Sequence, residues 1–362
     1  MNQDPNLLIT EIRRERTNRA WVRGWLYLVA LLILAIVMVG GMTRLTDSGL
    51  SITEWKPIHG VIPPLNDTEW LEEFAKYQQI PEYQQVNPGM TLAGFKVIFW
   101  WEWAHRLLGR LVGVVFAVPL AIFWLRRMLE PHFKPRLLLM LAFGGLQGAI
   151  GWWMVTSGLV DRVDVSQYRL AIHLTLAAAI FAYALWLARG LAKHTAAEAP
   201  AGLAIFAAMT TMAILAQLFL GALVAGLDAG LAFNDWPTMD GAIVPTGLDT
   251  LEPLWRNWFE NPKAVQFNHR IGGYVVALLV AVQFLKSMSS EVDAPHRRRA
   301  AILLILVLCQ LALGVATLTR QVPLDLALAH QLLAFGLLGF SVAHWRGLTG
   351  AVPVRSAIRL RT

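Results

Sequence analysis

Four histidines lie in segments that are otherwise apolar enough for lipid. They are His105 and His173 in the first half of the chain, and His269 and His330 in the second half. An ionisable side chain inside a membrane is energetically costly and usually has a function. Imidazole nitrogens arranged in two pairs are suited to binding metal ions, so the helices that carry them have to be placed first.

The composition predicts a polytopic membrane protein. Hydrophobic residues make up 56% of the 362 residues and charged residues only 15%. The apolar residues come in blocks of about twenty, which is the length that spans a bilayer. The pattern predicts an all-α fold with eight transmembrane helices, at about 22–43, 95–125, 137–157, 166–188, 202–225, 264–286, 300–319 and 325–346.

The net charge of +7 is explained by membrane topology. Most lysines and arginines fall in the two ends of the chain and in three short loops, whereas most acids fall in the other loops. This asymmetry follows the positive-inside rule and predicts cytoplasmic N and C termini without a nucleic-acid partner. The first apolar run is too long for a cleavable signal peptide and is expected to be retained. The single cysteine, Cys309, is expected to be a small buried apolar residue.

The two halves of the chain repeat one another. Asp47-Ser48-Gly49-Leu50 returns as Asp228-Ala229-Gly230-Leu231, 181 positions later. The His-Arg pairs are 164 positions apart, and the single histidines are 157 apart. Each repeat holds four helices, an even number, so both repeats enter the membrane in the same direction, related by a pseudo-twofold axis along the membrane normal.

This repeat divides the chain into five segments. We predict a cytoplasmic N-terminal segment 1–21, a four-helix repeat 22–190, a cytoplasmic linker 191–201, a second repeat 202–346 and a cytoplasmic tail 347–362. The outer loops would be 44–94 and 226–263. The longer one is predicted to be partly helical and to lie on the membrane as a lid, with Asn66 among the candidate N-caps.

The parity of the helices places all four histidines at similar depth near the outer face. Small residues follow each histidine by four positions, including Gly109 and Gly273, so each imidazole would stand over a gap on its own helix face. Two imidazoles across a flat slot suit a large planar ligand, and heme is the obvious candidate. A zinc site would require a compact tetrahedral cluster, which the separate pairs do not provide.

The two histidine pairs differ in their neighbours. Glu102 lies three residues before His105, whereas Gln266 occupies the matching position before His269. Glu102 could form an intrahelical ion pair with Arg106, or act as an acid-base group at one site alone. Arg106 and Arg270 could bind heme propionates or extend to the lipid headgroups.

At these residues the sequence resembles the heme A synthase family. The resemblance rests on the Glu-x-x-His-Arg of helix 2, the His-Arg of helix 6, the single histidines of helices 4 and 8, and the duplicated Asp-x-Gly-Leu loops. It covers about residues 20–346. The chain lacks the cysteine pairs of some bacterial members and so resembles the cysteine-free branch of alphaproteobacteria and mitochondria.

The resemblance implies a function and its site residues. It implies oxidation of the C8 methyl of heme O to a formyl group by successive hydroxylations, giving heme A for cytochrome oxidase. His105 and His173 would bind the iron of the substrate heme, with Glu102 as the catalytic residue. His269 and His330 would bind a heme b cofactor.

The resemblance also implies partners and a location. These are heme O, received from heme O synthase, an unidentified electron-transfer partner, and the bacterial inner membrane with the heme sites toward the periplasm. Glycine-rich outer helix faces allow a homo-oligomer. The alternative function is that of a diheme b-type cytochrome that only transfers electrons, and a transporter with repeated halves is a weaker third.

Overall fold

The computed structural model describes residues 5–192, 200–289 and 291–350. In these ranges the fold is built of helices joined by irregular loops. In chain order the α-helices are α1 (Pro5–Leu45), α2 (Asp67–Tyr77), α3 (Pro81–Gln85), α4 (Leu92–Leu125), α5 (Lys134–Val155), α6 (Gln167–Gly190), α7 (Ala201–Gly226), α8 (Ala229–Ala232), α9 (Asn257–Glu260), α10 (Pro262–Ser287), α11 (Ala294–Thr319) and α12 (Leu324–Leu348).

Eight of these helices are long and apolar enough to cross a membrane, namely α1, α4, α5, α6, α7, α10, α11 and α12. The prediction of eight spanning helices is therefore confirmed. Helices are favoured in lipid because every backbone N–H and C=O must find a partner within the segment. Side chains cap the N-termini of α4 and α10. The Thr91 hydroxyl accepts a hydrogen bond from Gly94 N (3.2 Å), and the Asn261 amide oxygen accepts one from Lys263 N (3.0 Å).

The first helix is longer than predicted. It begins at Pro5 and not near residue 22. The arginine-rich stretch continues the helix before the apolar run, because arginine is a good helix former and its charge is tolerated outside the hydrocarbon. Arg19 forms an ion pair with Glu130, in the loop that precedes α5, and this contact ties the extension to the bundle.

The membrane helices form two rings of four. In the first ring α1 and α5 each contact both α4 and α6, so α4 and α6 lie diagonally opposite one another. In the second ring α7 and α11 each contact both α10 and α12, which are opposed in the same way. This is the pattern that two repeats related by a twofold axis would produce, and the histidines lie on the opposed helices.

The two rings meet along α1, α6, α7 and α12. Three alanines of α6, Ala178, Ala184 and Ala188, are completely buried here. Small residues allow helix backbones to approach closely, and van der Waals packing of this kind holds helices together in lipid. Larger side chains fill the remaining space, and the rings of Phe181 and Phe335 lie 5.6 Å apart between α6 and α12.

The first outer loop is partly helical, as predicted. The Asn66 side chain caps α2 by accepting a hydrogen bond from Glu69 N at 3.0 Å. Trp70, Phe74 and Tyr77 are buried against the start of α4, whereas Leu71 is exposed. Trp70 packs on Phe99 of α4 with ring centres 4.9 Å apart. The packing fixes this loop, residues 46–91, over the start of α4, and we call it the lid.

The duplicated Asp-x-Gly-Leu turns adopt the same unusual backbone at the same position. Asp47 and Asp228 have φ values of 47° and 48°, in the left-handed region. Aspartate tolerates this region better than most residues because its short side chain can hydrogen-bond locally. The aspartate and not the glycine therefore makes each turn. Arg44 joins the two turns by pairing with Asp228 at 2.7 Å and Asp47 at 3.3 Å.

Two further expectations concern single segments. Most of the predicted linker 191–201 and most of the tail 347–362 lie outside the described residues. Cys309 is exposed and not buried, on the surface of α11. The prediction for this residue was wrong because a cysteine in a lipid-facing position costs no more than another small apolar residue.

Candidate functional site

The four histidines lie on the diagonally opposed helices of the two rings. His173, His269 and His330 come six, seven and six residues after the first residues of α6, α10 and α12, which are Gln167, Pro262 and Leu324. His105 comes thirteen residues after the start of α4, because that helix extends beyond the others under the lid. Each ring therefore directs two imidazoles toward its centre from opposite sides.

The second pair has the spacing of two axial ligands. The ring centres of His269 and His330 are 6.5 Å apart, and the ring planes are nearly perpendicular at 79°. A metal–imidazole bond is about 2 Å long, so nitrogens on opposite sides of one metal ion lie roughly 4 Å apart. The ring centres lie one ring radius further out on each side. The observed separation matches this arrangement.

The first pair lies on the matching helices of the first ring. His105 is on α4 and His173 is on α6. The structure therefore brings His269 and His330 together and places His105 and His173 on the opposed helices of one ring.

Each imidazole lies against a glycine of the neighbouring helix, which we call its glycine seat. A Cβ atom placed on the glycine would come within 2.7 to 3.0 Å of the Cε1 atom of the histidine ring. Real Cβ atoms essentially never come closer than 3.0 Å, and at 3.0 Å the ring would have to move by a few tenths of an ångström, so a glycine fits best at each of these positions. The seats are Gly40 for His105, Gly151 for His173, Gly221 for His269 and Gly314 for His330.

At three of the four seats a glutamine lies four residues before the glycine, on the same helix face. Its Nε2 atom lies 2.9 to 3.2 Å from the histidine Nδ1 and donates a hydrogen bond to the backbone carbonyl of that histidine at 2.8 to 3.1 Å. The three are Gln147 for His173, Gln217 for His269 and Gln310 for His330.

Gln217 was not predicted from the sequence, and neither was the packing of each imidazole against a glycine. The signal was present, because Gly221 and Gly40 are separated by 181 positions, the same offset as the Asp-x-Gly-Leu turns. The same offset pairs Gln217 with Ile36, an apolar residue. His105 is therefore the one histidine of the four whose seat carries no amide.

Glu102 is 2% exposed and holds the lid to α4. Its Oε2 atom accepts hydrogen bonds from the Ser51 hydroxyl and from Ile52 N, both at 2.7 Å. Its Oε1 atom accepts from Arg106, whose Nη2 lies at 2.5 Å and Nε at 3.0 Å. The intrahelical ion pair considered from the sequence is therefore present.

Gln266 makes contacts of the opposite polarity in the second half. Its Nε2 donates to the backbone carbonyls of Ala229 (2.8 Å) and Phe233 (3.0 Å). Its Oε1 accepts from Arg270 at 3.1 Å. The side chain at this position therefore accepts from the outer loop in the first half and donates to it in the second.

The two arginines bind outer-loop backbone at equivalent positions. Arg106 donates to the carbonyls of Ile52 (2.6 Å) and Glu54 (3.0 Å). Arg270 donates to those of Phe233 and Asp235, both at 3.0 Å. Phe233 and Asp235 lie 181 positions after Ile52 and Glu54. Both guanidinium groups thus hold the backbone of the loop beside them through hydrogen bonds to its carbonyls.

Gly109 and Gly273 were predicted to leave a gap beside the histidines, but each has neighbours at contact distance. A Cβ on Gly109 would meet Ile36 at 3.5 Å, and one on Gly273 would meet Gln217 and Leu311 at 3.6 Å. These are ordinary contact distances. Gly113, one turn beyond Gly109, has nothing within 4 Å. Open space beside α4 is therefore found at Gly113, which is exposed, and not at Gly109.

Among the loop acids with shifted pKa values, Glu82 and Asp235 shift far and in opposite directions. Burial raises the pKa of Glu82, in α3, to about 8 despite a hydrogen bond from Tyr77. Hydrogen bonds from Gly241 N, the Thr238 hydroxyl and Asp240 N lower the pKa of Asp235 to about 2. The Asp235 carboxylate thereby stays charged and shapes the turn that presents carbonyls to Arg270.

The donor set fits heme better than a bare metal ion. Among the described residues no group of three or more His, Cys, Asp or Glu side chains could hold a metal ion. Two imidazoles alone leave most of the coordination sphere to be filled by another ligand, and a porphyrin supplies the four remaining nitrogens. Four-helix bundles bind such cofactors between facing helices.

Fold and site together define a class, a multi-pass helical membrane protein with histidines on the opposed helices of two four-helix rings. The family model for COX15-CtaA, described as "Cytochrome oxidase assembly protein", matches residues 23–342. The chain belongs to this family.

Proteins named heme A synthase are similar over nearly the whole chain. The protein from Chelativorans sp. (strain BNC1) is 60% identical over 342 residues, which cover 94% of this chain and 95% of that protein. The protein from Mesorhizobium japonicum is 57% identical over 349 residues, 96% of each. That from Sinorhizobium medicae is 54% identical over 355 residues, 98% of this chain and 97% of its own length.

Proposed function

We propose that this chain acts as a heme A synthase, an oxidoreductase that converts the C8 methyl of heme O to a formyl group for cytochrome oxidase assembly. The observation that supports the proposal is the close pairing of His269 with His330 in a chain 60% identical to a protein of that name. The first site, His105 and His173, holds the substrate heme. The second, His269 and His330, holds heme b.

A heme bound at the second site supplies the redox chemistry, and the residues of the chain orient both ligand pairs. The glycine seats fix how closely each imidazole approaches the neighbouring helix. The glutamines beside three of the histidines restrict rotation of the ring, since a partner of the second ring nitrogen sets the orientation and the tautomer of a ligating histidine.

Glu102 is the residue proposed to handle protons. A carboxylate has about four acceptor positions, and Ser51, Ile52 and two nitrogens of Arg106 occupy four. Glu102 can therefore take up a proton only when one of these donors withdraws. The donors from Ser51 and Ile52 belong to the lid, so a displacement of the lid would free Oε2 beside the first site.

The location and partners follow from the same proposal. The lid and the second outer loop face the periplasm, the termini face the cytoplasm, and the chain lies in the bacterial inner membrane. Heme O arrives from heme O synthase, and the chain exchanges electrons with a separate electron-transfer partner.

Extraction of the hemes from the purified protein, followed by chromatography, tests the function. The proposal predicts heme B together with heme O, its hydroxymethyl form or heme A. Heme B alone, with two equivalent low-spin hemes that do not change on turnover, would show a diheme b-type cytochrome instead.

A further inference from the structure

One of the four histidines is held differently from the others. Gln147, Gln217 and Gln310 lie beside His173, His269 and His330, but the equivalent residue beside His105 is Ile36. The Nδ1 atom of His105 is buried without a hydrogen-bond partner. The backbone carbonyl of Ile36 is the acceptor that faces this ring, and no side chain donates to it or accepts from it.

The difference is confined to hydrogen bonding, because packing at this seat is at least as close as at the others. The Cε1 atom of His105 lies 2.7 Å from the position that a Cβ on Gly40 would take, against 3.0 Å at Gly151 and Gly221. His105 is therefore in contact with Gly40, but no side chain forms a hydrogen bond with its Nδ1 atom.

The glutamines have the acceptor that a ligating histidine needs. The Oε1 atoms of Gln147, Gln217 and Gln310 are all buried without a partner. When histidine binds a metal through one ring nitrogen, the other carries a proton and donates it to a neighbouring acceptor. A half-turn of each amide would present its Oε1 to Nδ1–H in exchange for the hydrogen bond that Nε2 now donates to the histidine carbonyl. The side chain of Ile36 has no acceptor, which leaves His105 only a backbone carbonyl of α1.

We propose that Ile36 makes His105 the weakly held ligand, so that heme enters and leaves the first site on the His105 side. The second site has an amide beside both histidines and retains its heme. This inference rests on the proposed function, since a substrate site must exchange its heme on every turnover and a cofactor site must not. Ile36 is thus a positioning residue that acts through His105.

The test is the rate at which each site gives up heme to excess apomyoglobin. Ile36→Gln is compared with Ile36→Met, which has the length of glutamine but no hydrogen-bonding amide. To observe the first site alone, both are made in a His269→Ala background. For the second site, Gln217→Met is made in a His105→Ala background.

Ile36→Gln is expected to slow release from the first site by about 10- to 100-fold, the usual effect of a second-shell partner of a metal ligand. It is also expected to lower the reduction potential of that heme, because an acceptor on Nδ1–H makes the imidazole a stronger donor. Ile36→Met should change neither, and Gln217→Met should speed release from the second site.

Equal release rates and potentials in Ile36→Gln and Ile36→Met would overturn the inference, as would an unchanged rate in Gln217→Met. Failure of the proposed function would look different. In that case the wild-type protein would yield heme B alone on extraction, whatever release rates the Ile36 variants showed.

Discussion

The two halves of the molecule share one arrangement of helices around their histidines but differ in the hydrogen bonding close to them. Both place histidines on opposed helices and against glycines, and in both an arginine donates to outer-loop carbonyls at positions that match with an offset of 181. They differ at two positions close to the first histidine of each half, one of them buried and one half-buried. The first half has Glu102 and Ile36 where the second has Gln266 and Gln217.

Both differences affect hydrogen bonding more than shape. Glutamate and glutamine are nearly isosteric, yet Glu102 accepts from the lid backbone and Gln266 donates to the second loop. Isoleucine in place of glutamine removes a partner from one imidazole. Under the proposed function, a duplicated scaffold gives one site that reacts and one that keeps its heme, and the polarity of a few contacts makes the difference.

The largest expected effect is that of Glu102→Gln. The amide keeps the size of the side chain but cannot act as a base, so heme A formation should cease while both hemes remain bound. Heme extraction and the reduced-minus-oxidised spectrum measure the two outcomes. Normal heme A levels in this variant would refute the catalytic assignment.

The reciprocal change, Gln266→Glu, is the matched control. A carboxylate there would face the carbonyls of Ala229 and Phe233, which now accept from the amide. We expect a loosened second loop and no new activity. Heme oxidation at the second site in this variant would mean that Glu102 owes its role to charge alone.

An intermediate effect is expected from Gly151→Ala. The new Cβ would lie 3.0 Å from Cε1 of His173, so the ring must shift, and occupancy of the first site should fall by about 10-fold, as for other disturbed metal-ligand shells. Gly148→Ala on the same helix is the control, because nothing lies within 4 Å of its Cβ position. Heme titration followed by absorption measures both. Equal affinities in the two variants would show that the seats do not position the ligands.

The smallest effect concerns the pH dependence of the lid. The pKa of Glu82 is raised by burial from 4.5 to about 8, so between these values the folded lid holds a proton that the unfolded segment releases. Stability contributed by the lid should therefore fall as pH rises from about 4.5 to 8. Hydrogen exchange of α2 and α3 across this range measures it. Glu82→Gln should remove the dependence, and an unchanged dependence would assign it to another group.

The class of fold and the histidine pairs were predictable from the sequence. Hydrophobic length and loop charge reflect the bilayer directly, and the duplicated His-Arg pairs indicated the candidate ligands without any contact information. The start of α1 was not predictable, because the sequence of Pro5–Ala20 favours helix without showing where the tertiary support from Glu130 begins.

The polarity of individual contacts could not be predicted from the sequence either. The equivalence of Ile36 and Gln217 was visible as an offset, but only the distance to the imidazoles gives it meaning. Likewise the sequence allowed two roles for Glu102, and the lid donors Ser51 and Ile52 appear only once the lid is folded onto α4.

The central claim is that the two histidine pairs hold different hemes, and hemes extracted from His105→Ala and His269→Ala test it most directly. The account predicts that His105→Ala retains heme B but loses heme O and its oxidised forms, whereas His269→Ala loses heme B. The same loss of both heme types in the two variants, or retention of both, would contradict it.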